Sequence, residues 1–371
     1  MSDKIFSRSP YIIEVDETGV VGSLLDIRLY YSGTSVPSSP TYELKKPIPS
    51  SSNLKMYYDI SPYIREYINF NTRQTSIGTI STSGVVANNH NQMVKCQVIK
   101  YKETTSGTFV VLDTTTYYCL DGYGYYSEGA NPDLGAYSLS QGTYSYHYNA
   151  SKNPASVEND RAGLLSVLGE TSLADIKYTD LVTGATKQID NPFATYDLYD
   201  VPTVWYDFYA NGNKLEVWDN LGSGTPTLIG SWIFKPKEEC RYTPVMIDFV
   251  NKFGSWQREF FLKASKTNIS TSNTSYNLMQ SSSISYDTLE GQRAVFNTSG
   301  EESITVNTDY VSEDYFNVIQ EIMLSERILV NSLPAECNTK SLEKQKNING
   351  SKLINYSLEF KYSFNMINSV I

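Results

Sequence analysis

Histidine is almost absent from this chain: His90 and His147 are the only two in 371 residues. A Ser-His-Asp or Cys-His site needs an imidazole oriented by a third group, and nothing near either histidine in sequence proposes one. Their polar, loop-like surroundings predict structural or solvated roles. The four cysteines, Cys96, Cys119, Cys240 and Cys337, are too few and too scattered for a disulfide scaffold or a Cys-x-x-Cys metal knuckle. They are expected to be reduced thiols in a chain made in a cytoplasm. His-Glu-x-x-His, the phosphate-cradling Gly-x-x-x-x-Gly-Lys and the dinucleotide fingerprint are all missing. The first residues, Met-Ser-Asp-Lys-Ile-Phe-Ser-Arg, lack the apolar core of a signal peptide, and no run approaches the ~18 apolar residues of a spanning helix. Charged residues, at 19%, fall below the usual quarter, and acids outnumber bases to give a net charge of −10. That balance argues against wrapping nucleic acid through its phosphates and leaves open a channel that repels DNA and lets it slide past.

What is abundant is tyrosine, thirty of them, with many Ser, Thr and Asn. Aromatic and β-branched residues favour strands; Asn, Ser and Gly favour the turns between them. The composition predicts a mainly β protein, and the length allows two or three domains. The clearest single signal is 353–364, where Ile354, Tyr356, Leu358, Phe360, Tyr362 and Phe364 alternate with Asn355, Ser357, Glu359, Lys361 and Ser363. Strand side chains switch faces at each residue, so this predicts one half-buried strand of roughly 35 Å, about twice the usual length.

Other elements follow from the same patterns. Strands are expected at 9–15, 25–31, 94–101 and 109–112, and two more at 245–263 around a turn at 251–254. Ser61 and Pro62 predict the cap and first turn of a short helix with Tyr63, Ile64, Tyr67 and Ile68 on its apolar face. Residues 71–93 read as loop, 117–148 as an irregular stretch holding nine tyrosines, and 158–168 as a helical turn or two. Asn211-Gly212 predicts a tight hairpin between 204–208 and 215–217, and Asn349-Gly350 a second one joining 340–346 to the long strand. The best helix is 312–325, with Ser312 as cap, Glu313 and Asp314 in the first turn, and Tyr315, Phe316, Ile319, Ile322 and Met323 as the buried stripe. Lys235–Glu239 is a short charged link, which places a boundary near 236: a β-rich domain at 1–235 with an irregular insertion at about 113–200, and a second at 236–371.

Candidate chemistry reduces to carboxylates and tyrosines. Asp197, Asp200 and Asp207, interleaved with Tyr196, Tyr199, Trp205 and Tyr206, offer an acid–base pair for a sugar cleft, although a strand with solvated acids is the commoner outcome. Asp121, Glu128, Asn131 and Asp133 are possible oxygen ligands for calcium at a spacing that does not match the twelve-residue calcium loop. The tyrosines of 117–148 suit either protein packing and interfaces or sugar stacking, and Tyr123, Tyr125 and Tyr126 are the ones that would hold a glycan. We assign no catalytic, cofactor-binding or metal-ligating residue, and no cofactor.

Several segments together resemble virion proteins of tailed phages that infect Bacteroidetes, including the crAss-like group. They are Ser9-Pro10-Tyr11-Ile12-Ile13-Glu14-Val15, Tyr58-Asp59-Ile60-Ser61-Pro62-Tyr63-Ile64-Arg65-Glu66-Tyr67, Tyr242-Thr243-Pro244 leading into Phe249-Val250-Asn251-Lys252-Phe253-Gly254, and Lys352-Leu353-Ile354-Asn355-Tyr356-Ser357-Leu358-Glu359-Phe360. The likeness touches both ends and the middle, with little in 71–200, and carries over no active-site residue. The C-terminal order of long strands, one helix at 312–325 and a final hairpin looks like a tail-tube or distal-tail module, an antiparallel β-sandwich flanked by one helix. The resemblance implies a non-enzymatic structural protein of the virion tail, forming a homo-oligomeric ring, six- or twelve-fold, around the DNA channel. It implies other tail or portal-proximal proteins as partners, transient passage of DNA through the lumen and no membrane insertion. The alternative reading is a host-glycan-binding fibre, decoration or adhesin protein.

Overall fold

In a computed structural model of the chain, the described residues are 4–31, 33–69, 86–87, 92–105, 107–133, 145–149, 163–169, 174–190, 192, 197–219, 225–238, 241–278, 289, 291–345 and 354–367. They fall into two compact units, Met1–Glu238 with Phe249–Glu259, and Glu239–Asp248 with Phe260–Ile371. The first crossover lies close to the charged link at 236. The return to the first unit at Phe249 carries no compositional mark. Both units are mainly β, with antiparallel pairing dominant.

The first unit runs through β1 (Lys4–Phe6), β2 (Ile12–Val15), β3 (Gly22–Tyr31), β4 (Tyr42–Pro47), β5 (Met56–Asp59), helix α1 (Ser61–Tyr67), β6 (Val86–Ala87), β7 (Val94–Thr105) and β8 (Thr108–Leu120). It continues with β9 (Ser145–Asn149), β10 (Leu164–Gly169), β11 (Ala174–Asp180), β12 (Thr186–Ile189), β13 (Asp197–Pro202), β14 (Asn213–Asp219) and β15 (Thr227–Lys237). These make sheets in the orders β1-β8-β7-β3-β4, β10-β13-β6, β12-β11-β14-β15-β9 and β2-β5. The alternation read at 25–31 puts Leu25, Ile27 and Leu29 into a core with Val94, Val98, Cys96, Cys119, Tyr58 and Ile64. Each such aliphatic side chain removed from water contributes about 1.5–3 kcal/mol. Cys96 and Cys119 are fully buried thiols, and burial followed by the neighbouring Cys96 pushes the Cys119 thiol well up.

The second unit contains β16 (Val245–Val250), β17 (Trp256–Phe261), β18 (Lys266–Asn277), β19 (Arg293–Asn307), helix α2 (Phe316–Leu324), β20 (Ile328–Val330), β21 (Leu333–Cys337) and β22 (Ser357–Asn365). The distal residues of the β16–β17 hairpin, Phe249–Glu259, belong to the first unit. The strands form one seven-stranded sheet in the order β17-β16-β20-β21-β22-β19-β18. The strand expected at 353–364 is β22, with Ile354 in a bridge to Val311 just before it. Its alternation holds: Tyr356, Leu358, Phe360 and Tyr362 are buried and their neighbours are not.

Several local expectations need correction. Ser61 does not cap α1; Asp59 does that work from outside the helix, its Oδ1 accepting Ser61 N–H (3.1 Å), Ser61 Oγ–H (2.6 Å) and Tyr11 N–H (3.2 Å). The helix expected at 312–325 opens as a 3-10 turn, Glu313–Tyr315, before α2. Ser312 has the extended backbone of a cap but makes no side-chain capping bond. Val318 and Glu321 share the buried stripe with Tyr315, Ile319 and Ile322, while Phe316 and Met323 are half-buried. Leu164–Leu168 is strand, not helix, because its residues pair with β13 from Leu164↔Pro202 to Gly169↔Asp197. Asn211-Gly212 does not close a hairpin: residues 206–208 form a 3-10 turn whose Phe208 carbonyl accepts both N–H groups (3.1 and 2.8 Å). Gly212, at φ +79°, then turns the chain into β14, which pairs with β11 and β15. The turn at Asn349-Gly350 lies outside the described residues, and 340–345 is not strand. The antiparallel neighbours of β22 are β21 and β19.

Candidate assembly surface

The carboxylates singled out in sequence do not converge. Asp197 and Asp200 are both buried on β13, but three residues apart on a strand they face opposite sides. Asp197 Oδ1 accepts Leu198 N–H (2.8 Å), Asp200 Oδ1 accepts Ser166 Oγ–H (2.8 Å), and Asp207, in the 3-10 turn, accepts Trp205 Nε1–H (3.3 Å). Of the four possible calcium ligands, Asp133 is exposed and the other three are committed within the protein. Asp121 Oδ1 faces Ser7 Oγ (3.5 Å) and Arg65 Nε (3.7 Å), and the Asn131 amide brackets both backbone groups of Ile12. Glu128 accepts Tyr125 N–H (2.6 Å) and pairs with Lys252 Nζ (2.7 Å). Burial raises the Glu128 carboxyl, but the Lys252 bond and the Tyr125 N–H outweigh it and hold the group below its ordinary value. Among the described residues no group of three or more His, Cys, Asp or Glu is placed to hold a metal ion.

His90 lies outside the described residues. His147 sits on β9, opposite Lys235 of β15, and burial, then Lys237 and Lys235, push it down from 6.5 to about 4. The folded state therefore resists a proton that the unfolded chain accepts near 6.5. His147 contributes stability that is complete above that pH and lost as pH falls toward 4. Thermal melts at pH steps across this window are expected to show a slope in the wild type that His147→Gln flattens. Parallel slopes would place the titration elsewhere.

The tyrosine-rich stretch mostly serves packing. Tyr146 stacks on Phe234 at 5.3 Å, Tyr148 is buried with its hydroxyl on the Tyr209 carbonyl, and Tyr123 is buried beneath the Arg8 guanidinium, 4.8 Å from its ring centre. Tyr125 carries Lys252 Nζ 4.2 Å from its ring centre, which leaves Tyr126 fully exposed beside it. Tyr137 and Tyr144 lie outside the described residues.

The feature with an unmet physical demand is in the second unit. All twelve residues of β18 are exposed, although the strand is paired along its length with β19, from Lys266↔Thr305 to Asn277↔Arg293. β22 joins β19 only over Glu301–Asn307. Beyond it, Thr271–Asn277 and Arg293–Gly300 continue as a two-stranded arm, about 20–25 Å at ~3.3 Å per residue. A ribbon of two strands is marginally stable in water by itself. Among the described residues the arm also ends the sheet, so β18 presents a row of backbone groups with no described strand beyond. Edges are normally blunted by charge or proline. β4, the edge of the five-stranded sheet, has Lys45, Lys46 and Pro47, whereas β18 has Lys266 at its start and no other charge and no proline. Along the arm, Tyr276 and Phe296 meet edge-on at 5.6 Å and are each half exposed.

Sequence reasoning missed β18, because Lys-Thr-Asn-Ile-Ser-Thr-Ser-Asn-Thr-Ser-Tyr-Asn has the composition of a loop. The available signal was the β-branched series Thr267, Ile269 and Thr271 at period two. No protein-family model and no curated protein matches this sequence.

Proposed function

We propose that this chain is a non-enzymatic structural protein of a phage virion, assembling with copies of itself into a ring in the tail around the DNA channel. The observation that carries the reading is the exposed β18 edge. A long neutral edge strand is a template for another chain, and closure of a ring removes the aggregation liability that an open edge creates. The net charge of −10 suits a conduit, since phosphates do not adhere to an acidic wall. Other tail or portal-proximal proteins would dock on the ring faces, and the localisation is the virion tail; among the described residues no helix is long and apolar enough to cross a membrane. The likeness of the four sequence segments to virion proteins of tailed phages that infect Bacteroidetes supplies the phage setting. The glycan-binding alternative is less well supported, because Tyr123 and Tyr125 are occupied by Arg8 and Lys252, leaving Tyr126 alone.

Light scattering coupled to gel filtration, with negative-stain images of the same fractions, tests this directly. A discrete cyclic oligomer is expected. A chain that stays monomeric across the accessible concentration range would remove the ring.

A further inference from the structure

We propose that the junction between copies is head to tail: the distal arm of one chain seats on the open end of β22 in the next. The proposal rests on the ring reading and names its contact.

Each chain carries two apolar surfaces of different character in the second unit. The first is on the arm. Thr274↔Phe296 and Tyr276↔Ala294 are register partners, so Phe296 and Tyr276 share a face, which Leu278, two residues on, continues. The second is where β22 leaves the core. Phe364 lies 5.4 Å from the half of the core row formed by Tyr362, yet is 41% exposed, and Met366 beyond it is 45% exposed. Met366 is fixed there by its N–H on the Gly300 carbonyl (2.9 Å), and its Sδ lies 3.3 Å from where a Cβ at 300 would be. A core face that runs on past its cover is an incomplete layer.

Charge selects the occupant and the orientation. The arm bears the exposed cation Arg293, register partner of Asn277, and no acid between Arg293 and Gly300 or along β18. The β22 end is bordered by Glu301 and Glu302, with Lys361 already paired to Glu301 at 2.9 Å. Arm against arm would oppose Arg293 to Arg293. Arm against end joins unlike charges and covers both apolar surfaces. Both surfaces belong to one continuous sheet, so the arm cannot fold onto the end of its own chain without breaking the β18–β19 pairing. A second copy can, and a contact between two different patches propagates head to tail until it closes.

The test uses two full-length double variants, Tyr276→Ser with Phe296→Ser on the arm, and Phe364→Ser with Met366→Ser on the end. All four positions are substantially exposed, so wild-type melting is expected. Each variant alone is expected to be monomeric by light scattering. Mixed in equal amounts they are expected to stop at a one-to-one dimer, because one intact arm meets one intact end and the remaining patches are spoiled. Full assembly by either variant alone, or a mixture that stays monomeric, would overturn this junction while leaving the ring reading intact. Wild-type protein that never assembles would instead remove the ring reading itself. Should a double variant melt early, Arg293→Glu probes the same contact without touching packing. It is expected to weaken assembly, and unchanged assembly would count against the junction.

Discussion

Gly254→Ala is expected to destabilise the first unit by about 2–4 kcal/mol, combining a left-handed backbone with overpacking. Gly254 sits at φ +82° in the tip of the β16–β17 hairpin. Asn251 organises that tip: its Oδ1 accepts the N–H groups of Phe253 (3.0 Å) and Ser255 (3.2 Å), and its backbone N–H donates to the Ser255 carbonyl (2.9 Å). A Cβ at 254 would lie 2.6 Å from Gly122 N and 2.7 Å from the Asp121 backbone. Gly122 has no room to yield, because its own Cβ position is 2.7 Å from the Lys252 carbonyl, and that carbonyl is held by Tyr123 N–H at 2.8 Å. Two backbones therefore touch where neither can carry a side chain. Gly19→Ala is the matched control: its φ is +68° and nothing lies within 4 Å of the added carbon, so only the conformational cost of about 1 kcal/mol applies. Urea titrations of both variants separate the terms. Equal losses at the two positions would mean that the Gly122–Gly254 approach is not tight.

This pairing also marks what one-dimensional reasoning reaches. The turn at 251–254 and both of its strands are legible, since Asn and Gly stand between two apolar runs. That its tip belongs to the first unit is not, because the partners Asp121 and Gly122 are over a hundred residues away and only the missing Cβ atoms betray them. The same limit explains the other misses. Asn211-Gly212 is a valid turn signal, but the preceding aromatic run forms a 3-10 turn rather than a strand, since β14 finds its neighbours in β11 and β15. Leu164–Leu168 has an aliphatic composition that serves helix or strand equally, and pairing with β13 decides it. β18 is the costliest miss for function. Its side chains bury nothing, so no hydrophobic period announces it, and the backbone ladder to β19 alone makes it a strand. A strand exposed along its whole length and a loop exposed to water have the same composition.

On the long strand itself, Phe360→Ala and Phe364→Ala are expected to part company, though the two side chains lie on one row. Phe360 is fully buried, meets Phe261 edge-on at 6.5 Å, and belongs to the residue pair Ile304↔Phe360 in register with β19. Truncating it leaves a cavity that the flanking strands cannot fill, costing about 3–5 kcal/mol in the second unit. Phe364 is 41% exposed and touches Tyr362, so its truncation is expected to change stability by roughly 0.5 kcal/mol or less, in the range of surface substitutions. Chemical unfolding of each variant at a concentration that keeps the chains apart measures both. A loss at Phe364 as large as at Phe360 would mean that the core extends to the end of β22 and leaves no surface to share. The expected inequality instead divides one alternating pattern into two functions. Its first five apolar positions, Ile354 to Tyr362, hold the second unit together, and Phe364, past the point where the core stops, is left 41% exposed. Nothing in the alternation distinguishes the two halves, because the periodicity records only that a face is covered, whether by the same chain or by the next.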